Sequence, residues 1–400
     1  MGRRDYKTGS VYQRASDGRW LGTIEAGYTP TGGRRRITVT GKTEAIVKRK
    51  LRDKRLQVER DGLPSTGTRF TVKRWADDWL EARRTEVRAK PWATDASAVR
   101  RWIVPTIGHR QLEQLTPADV RAVTNAQRKA GLSSSTRHRT HITLTAMLKA
   151  AMIDGHQVPA RVLLVKAPEQ SDNPRDAMPV ADIEAVMAVA VEMLPHWSRW
   201  LVQVLYGQRP AEVLGFTWPC IDFENKLLSV EWQLQSLPYV DPKDKARGFV
   251  VKDGMRVRHL TGAWHLTPPK TRKGFRVLPM LPIVEAALLQ WREVAPESPH
   301  ELVWPTTTGR PANEKHDLTE WHALQATAGV GHPDGRPWDI YEARHGFATR
   351  LMEEKVDQRI IEDLMGHSSI ITSRGYMHVD RALALEALEQ TNRALMGPTV

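Results

Sequence analysis

Four separated stretches of this 400-residue chain carry side chains that could do chemistry, always in one order. YGQRPAEVLGFTW contains Arg209 with Glu212 three residues on, and PPKTRKGFRVLPM contains Lys270 just before a strand-like run. DIYEARHGFATRL contains Arg344, and DLMGHSSIITSRGYMHV contains His367 and, nine residues later, Tyr376. A guanidinium forks onto two oxygens of a phosphate and keeps its charge, so separated arginines beside a lysine and a histidine suit a phosphate centre. Taken singly, each has an ordinary reading: ion-pair partners for the arginines, a surface lysine, a half-buried core tyrosine. Signatures of metal or nucleotide chemistry are missing, with no HExxH, GxxxxGK[ST], GxGxxG after a strand, GxSxG or EF-hand loop. His138 and His141, three apart, lack further zinc ligands nearby. The expectation is chemistry without metal, ATP or cofactor.

Together the four elements resemble the tyrosine recombinase (phage integrase) family, and the resemblance covers nearly the whole chain. In that family an Arg-x-x-Glu element, a hairpin Lys-Thr, a His-x-x-Arg-His element, a Leu-Gly-His element and a following tyrosine occur in this order. IGHRQLEQLTPADV looks like the core-site-binding domain of integrases, and the first segment is similar to their arm-type DNA-binding domain. The resemblance implies that Tyr376 attacks a DNA phosphorus to form a 3′-phosphotyrosine, which stores the bond energy for religation. Arg209 and Arg344 clamp the non-bridging oxygens, Lys270 protonates the 5′-oxygen leaving group, and His367 hydrogen-bonds a phosphate oxygen. The resemblance gives Glu212 an orienting part and no reacting one, through an ion pair to a catalytic arginine or a backbone contact.

One departure from the family pattern matters. Tyr341 stands where the first histidine of His-x-x-Arg is usual, and a phenol with an ordinary pKa near 10 is a poor base at neutrality. Tyr341 could hydrogen-bond the phosphate or Tyr376, and could be mistaken for the nucleophile; the spacing after Gly366-His367 favours Tyr376. His345, next to Arg344, is conventional in the family and structural. Lys273 lies close to Lys270, but the Lys-Thr dipeptide followed by Arg276-Val277 favours Lys270.

The elements that must position these groups form three expected domains: residues 1–62, 68–165 and 176–400. The expected fold class is multidomain and mainly α with small β elements. In the first domain, runs at Ser10–Gln13 and Trp20–Glu25 flank an Asp17-Gly18 turn, RRRITVTG forms a third strand, and Thr43 caps a basic helix to about Arg60. The second is a helical bundle, with Trp75 and Trp79 four apart on one face, Thr94 expected to cap a helix ending at Pro105 and Gly108, and Thr116-Pro117 opening another before Gly131. A fourth helix closes at Gly155. The third is a mixed α/β catalytic domain with helical patterns at about 180–194, 198–207 and 282–295 and strand-like LLSVEWQLQ and FRVLPM. A helix-prone tail places Leu385, Leu388 and Leu395 after the tyrosine, to dock either on its own domain or on a neighbouring subunit.

Charge agrees with a polyanionic partner. The chain is +13 overall; residues 1–62 carry sixteen basic and seven acidic side chains, and residues 63–170 eighteen and nine. Residues 171–400 are acidic apart from 241–276, with ten basic and three acidic. Expected DNA contacts are Arg14, Arg19, Arg34, Arg35 and Arg36, then Arg100, Arg101, Arg137, Arg139 and Lys149, most of them to phosphate. One cysteine, Cys220, leaves no internal disulfide. With no long apolar run and no secretory signal, no membrane role and the cytoplasm of a bacterial host are expected. The expected protein is an integrase acting on double-stranded DNA at attachment sites, as a homotetramer that passes through a Holliday junction, with possible accessory DNA-bending and directionality proteins. A type IB topoisomerase and a DNA-binding protein without cleavage activity are the other readings.

Overall fold

Gly18 takes φ +65°, a left-handed turn that costs glycine nothing, and it reverses the chain between the first two strands. In the computed structural model, which describes residues 10–28, 34–61, 70–170, 176–270, 274–366 and 381–396, the chain divides into two units, Met1–Ser171 and Asp172–Val400. β1 (Ser10–Gln13), β2 (Trp20–Tyr28) and β3 (Arg34–Gly41) form an antiparallel sheet in that order, and α1 (Glu44–Asp61) packs on it. Thr43 Oγ1 accepts from the Ile46 amide at 3.4 Å, as a capping threonine should. Ile24, Val47 and Leu51 are the module's core. The helix lies so close that a Cβ on Gly22 would stand 2.4 Å from Leu51 and 2.6 Å from Val47.

The helical part comprises α2 (Val72–Glu86), α3 (Ala89–Ala98), α4 (Val104–Ile107), α5 (Pro117–Lys129) and α6 (Ser134–Ile153). Trp75 and Trp79 share the buried face of α2, and the Trp75 indole donates to the Met147 carbonyl at 2.8 Å. Thr116 and Asp119 cap α5 reciprocally, with Pro117 in the first turn. Thr94 is not a cap: α3 begins at Ala89, and Thr94 lies inside it, donating to the Lys90 carbonyl at 3.0 Å. Pro105 does not end the helix either. A wide π-type turn over Val99–Ile103 leads into α4, where the missing N–H of Pro105 is tolerated in the first turn. Buried Asp95 gathers Arg83 at 2.6 Å and Thr143 at 2.8 Å, binding three helices.

The second unit contains α7 (Val180–Met193), α8 (Ser198–Leu205), α9 (Pro210–Val213), α10 (Pro282–Val294), α11 (Glu314–Ala328), α12 (Ile340–Glu353), α13 (Gln358–Met365) and α14 (Arg381–Met396). Two antiparallel sheets accompany them. β4 (Ile221–Asp222), β5 (Leu227–Val230) and β9 (Arg276–Pro279) make one; β6 (Gln233–Ser236), β8 (Trp264–Thr267) and β7 (Arg258–Thr261) make the other, in those orders. LLSVEWQLQ is therefore two strands in different sheets, because the chain leaves one sheet at Glu231 and buries Trp232 before entering the next. The Trp232 backbone packs so closely on Gly215 that a Cβ there would meet its carbonyl at 2.8 Å. Ala384, Ala387 and Leu388 of α14 belong to the core of this unit, so the described tail packs on its own domain. No helix among the described residues is long and apolar enough to cross a membrane.

Candidate active site

The site begins at the end of α8, where Gly207 turns the chain at φ +54°. A side chain there would collide with Phe347 at 2.6 Å and Met365 at 2.7 Å, so only glycine lets this turn lie against α12 and α13. The next turn presents Arg209 at the N-terminus of α9, with Pro210 following. Glu212 reaches back: its Oε2 accepts from the Arg209 amide at 3.2 Å, and its Oε1 accepts from Arg209 Nη1 at 2.7 Å. Glu212 is buried and Arg209 stays one-third exposed, so the carboxylate fixes a guanidinium that solvent, or a ligand, can still reach.

A second arginine grips the same carboxylate from β9. Arg276 Nη2 donates to Glu212 Oε2 at 2.9 Å and to Gln208 Oε1 at 2.7 Å. Its Nη1 reaches the Gly274 carbonyl at 2.9 Å and its Nε the Leu364 carbonyl at 3.0 Å. Burial alone would push the Glu212 carboxyl up, but Arg276 and then Arg209 outweigh it and hold the pKa at about 2. Glu212 is thus ionised at neutral pH and cannot serve as an acid. Sequence reasoning used Arg276 only as a register mark for Lys270, and passed over Gln208. Arg276 alternates inward with Leu278 along β9, the one available signal that it is buried.

Arg344 comes from the middle of α12 and is also buried. Its Nη1 donates to the Gly207 carbonyl and its Nη2 to the Met365 carbonyl at 2.5 Å. Burial first, and then the neighbouring Arg209, push its pKa down to about 9, which leaves it charged at neutral pH. Gly366, φ +62°, ends α13 in the left-handed conformation and turns the chain immediately before His367. Tyr341 is half-buried in the first turn of α12, one helical turn from Arg344, behind an N-cap in which Asp339 accepts from the Tyr341 amide at 2.8 Å. His345 is exposed. Lys270 is exposed, after β8 and Pro269, in the connection leading to β9. The structure therefore brings together Arg209, Glu212, Arg344 and Tyr341, and adds Arg276. His367, Tyr376 and Lys273 lie outside the described residues.

Three guanidiniums around one carboxylate leave a net positive centre, suited to an anion with several oxygens. Among the described residues no three His, Cys, Asp or Glu side chains group to hold a metal. Away from this centre, Arg14, Arg19, Arg36, Arg100, Arg101, Arg139 and Lys149 are exposed and Arg137 is half-buried. Arg14 pairs with Asp17 at 3.4 Å, Arg139 with Asp95 at 3.5 Å, and the Arg100 guanidinium lies 5.7 Å from the Trp92 ring centroid. Arg34 and Arg35 lie in β3, and their side chains are outside the described ones.

The family description "Phage integrase family" matches residues 177–382, more than half of the chain, and "Phage integrase, N-terminal SAM-like domain" matches residues 71–126. The chain belongs to the phage integrase family. It is a tyrosine-type site-specific recombinase. An integrase of Saccharopolyspora erythraea is 25% identical across 97% of both chains. The Tn1549 transposon integrase, solved with transposon right-end DNA, superposes with a TM-score of 0.61 at 19% identity, covering 80% of this chain and 99% of that one. A lambda integrase tetramer bound to a Holliday junction gives 0.54 at 17% identity, covering 92% and 94%. The mainly helical architecture with small sheets is the integrase fold.

Proposed function

We propose that this recombinase cuts one DNA strand per subunit at paired attachment sites with Tyr376 as nucleophile. The Tyr376 phenol gives up its proton to solvent water, its oxygen bonds the phosphorus, and the bond from phosphorus to the 5′-oxygen breaks while Lys270 supplies a proton to that oxygen. Arg209 and Arg344 hold the non-bridging oxygens as negative charge spreads over them, with His367 as a further donor. Glu212 orients Arg209. Tyr341 donates a hydrogen bond to the phosphate or to Tyr376, and His345 is structural. The observation that carries this reading is that Arg209, held by Glu212, and Arg344, held by the Gly207 carbonyl two residues before Arg209, lie close enough for their charges to interact although they are 135 positions apart.

The domain roles follow the same reading. Residues 1–62 bind arm-type sites through Arg14, Arg19, Arg34, Arg35 and Arg36. Residues 68–165 bind the core site through Arg100, Arg101, Arg137, Arg139 and Lys149, and residues 176–400 hold the chemistry. Four copies assemble on DNA and exchange strands through a Holliday junction in the cytoplasm of a bacterial host, where DNA-bending and directionality proteins would set the outcome. The lambda integrase assembly supports the tetramer, and the Tn1549 complex supports the DNA.

A covalent-trapping assay tests the reading. Wild type, Tyr376→Phe and Tyr341→Phe are incubated with a nicked suicide duplex carrying the attachment site expected beside the gene, with a binding control. An adduct on denaturing gels in wild type and Tyr341→Phe, and none in Tyr376→Phe, is expected. Binding without an adduct in every protein would overturn it.

A further inference from the structure

We propose that Arg276 is a positioning residue for strand cleavage: it ties the segments carrying Arg209, Lys270 and the end of α13 into one frame and keeps Glu212 from capturing Arg209. The inference rests on the recombinase reading above and concerns a residue to which that reading gives no part.

All three guanidinium nitrogens of Arg276 are engaged within the protein, so it has little left to offer a phosphate. What it touches is informative. Gln208 and Glu212 flank Arg209. Gly274 packs against Pro269 so closely that a Cβ there would stand 2.6 Å away, and Pro269 adjoins Lys270. Leu364 precedes His367 by three positions. Arg344 grips the neighbouring carbonyls, Gly207 and Met365, so the first and last of these segments are each held twice, from β9 and from α12. The segment beside Lys270 is held by Arg276 alone of the two.

Electrostatics gives the frame a consequence in solution. Glu212 is faced by Arg209 on its own element, Arg276 from β9, Gln233 from β6 and, at longer range, Arg344 from α12. The two near arginines divide its oxygens, Oε1 to Arg209 and Oε2 to Arg276. Without the Arg276 charge, a buried carboxylate must either draw Arg209 onto both oxygens or take up a proton. The first misplaces a phosphate clamp; the second brings Glu212 into the pH range of the reaction.

The test follows adduct formation and DNA affinity for wild type, Arg276→Gln, Glu212→Gln and the double variant across pH 5–8, with thermal melts alongside. Wild type must form the adduct; if it does not, it is the recombinase reading that fails. Given that, Arg276→Gln is expected to cleave about 10²-fold more slowly at neutral pH while binding DNA within about threefold, because a clamp misplaced by about 1 Å costs that much. Its rate should also change below neutral pH as Glu212 protonates, a limb absent from wild type. The double variant should be faster than the product of the two single losses, since neither buried charge then stands alone. Arg276→Lys keeps the charge without the fork, and serves if Arg276→Gln melts too low: it should be slow with the wild-type pH profile. Cleavage by Arg276→Gln at the wild-type rate would overturn the proposal. So would a slowed rate with an unchanged pH profile and strictly multiplicative losses in the double variant.

Discussion

The guanidinium of Arg344 donates to the carbonyl of Gly207 across 137 positions of sequence, and the glycine is what lets that carbonyl approach. Gly207 is left-handed, and it is walled by Phe347, one turn along α12 from Arg344, and by Met365. Backbone conformation, packing and the placing of the Arg344 guanidinium therefore depend on a single missing methyl group.

Gly207→Ala should be costly in two ways. A left-handed alanine costs about 1–2 kcal/mol, and displacing Phe347 and Met365 adds about 1–3 kcal/mol. Gly329→Ala is the control. That glycine is also left-handed, at φ +68°, but nothing lies within 4 Å of the position its Cβ would take. Denaturant unfolding should show a loss of about 3 kcal/mol at Gly207 and only about 1 kcal/mol at Gly329. Equal losses would mean that the close approach to α12 does not matter.

DNA affinity should fall with salt according to how many cations meet phosphate. Arg100 and Arg101, in the turn before α4, are exposed and pair with no carboxylate among the described residues, whereas Arg139 spends part of its charge on Asp95 at 3.5 Å. Arg100→Ala and Arg101→Ala should each flatten the plot of log affinity against log salt by about 0.9, without changing sequence preference. Arg139→Ala should flatten it less. A loss of preference with an unchanged slope would place these arginines on base edges instead.

What was legible in the sequence was local. Thr116, Pro117 and Gly131 announce α5, and Asp17-Gly18 announces the first hairpin, because caps and turns are made by neighbours in the chain. Thr94 misled because a threonine inside a helix can bond the carbonyl four residues back as readily as it caps. Arg209 and Arg344, which the structure brings together, were legible from the ordered motifs around them. Arg276 was not, because its meaning lies in partners 64 to 88 positions away that periodicity cannot reveal. LLSVEWQLQ shows the same limit: its apolar run is strand-like throughout, and only pairing with β9 and β8 divides it.

Conservative replacement of Arg209 and Arg344, the two arginines proposed to clamp phosphate, should separate their duties. Arg209 is one-third exposed, and its backbone amide as well as its guanidinium is held by Glu212, so Arg209→Lys keeps the capped turn. It should lose about 10²–10³ in adduct formation and less than about 1 kcal/mol of stability. Arg344→Lys cannot serve both Gly207 and Met365, so a buried carbonyl is left unpaired. It should lose as much rate and a further 1–3 kcal/mol, roughly, in unfolding. Matching stabilities for the two variants would show that the Arg344 fork has no structural duty.

Glu212 should leave its mark on acid stability. Its carboxyl titrates near 2 in the folded protein, against an ordinary value of 4.5. A depressed carboxylate favours the folded state above the ordinary value and loses that advantage as pH falls from there through the folded pKa. For a shift of this size the contribution is about 3 kcal/mol, fully present at neutral pH, and burial shields it from salt. The gap in unfolding free energy between wild type and Glu212→Gln should therefore be constant above about pH 5 and shrink steadily between about pH 4.5 and 2. Other carboxylates titrate in the same window, but they are common to both proteins and cancel in the difference. A gap that stayed constant down to pH 3 would mean that Arg209 and Arg276 do not hold Glu212 ionised, and the frame around the clamp would then owe its form to packing alone.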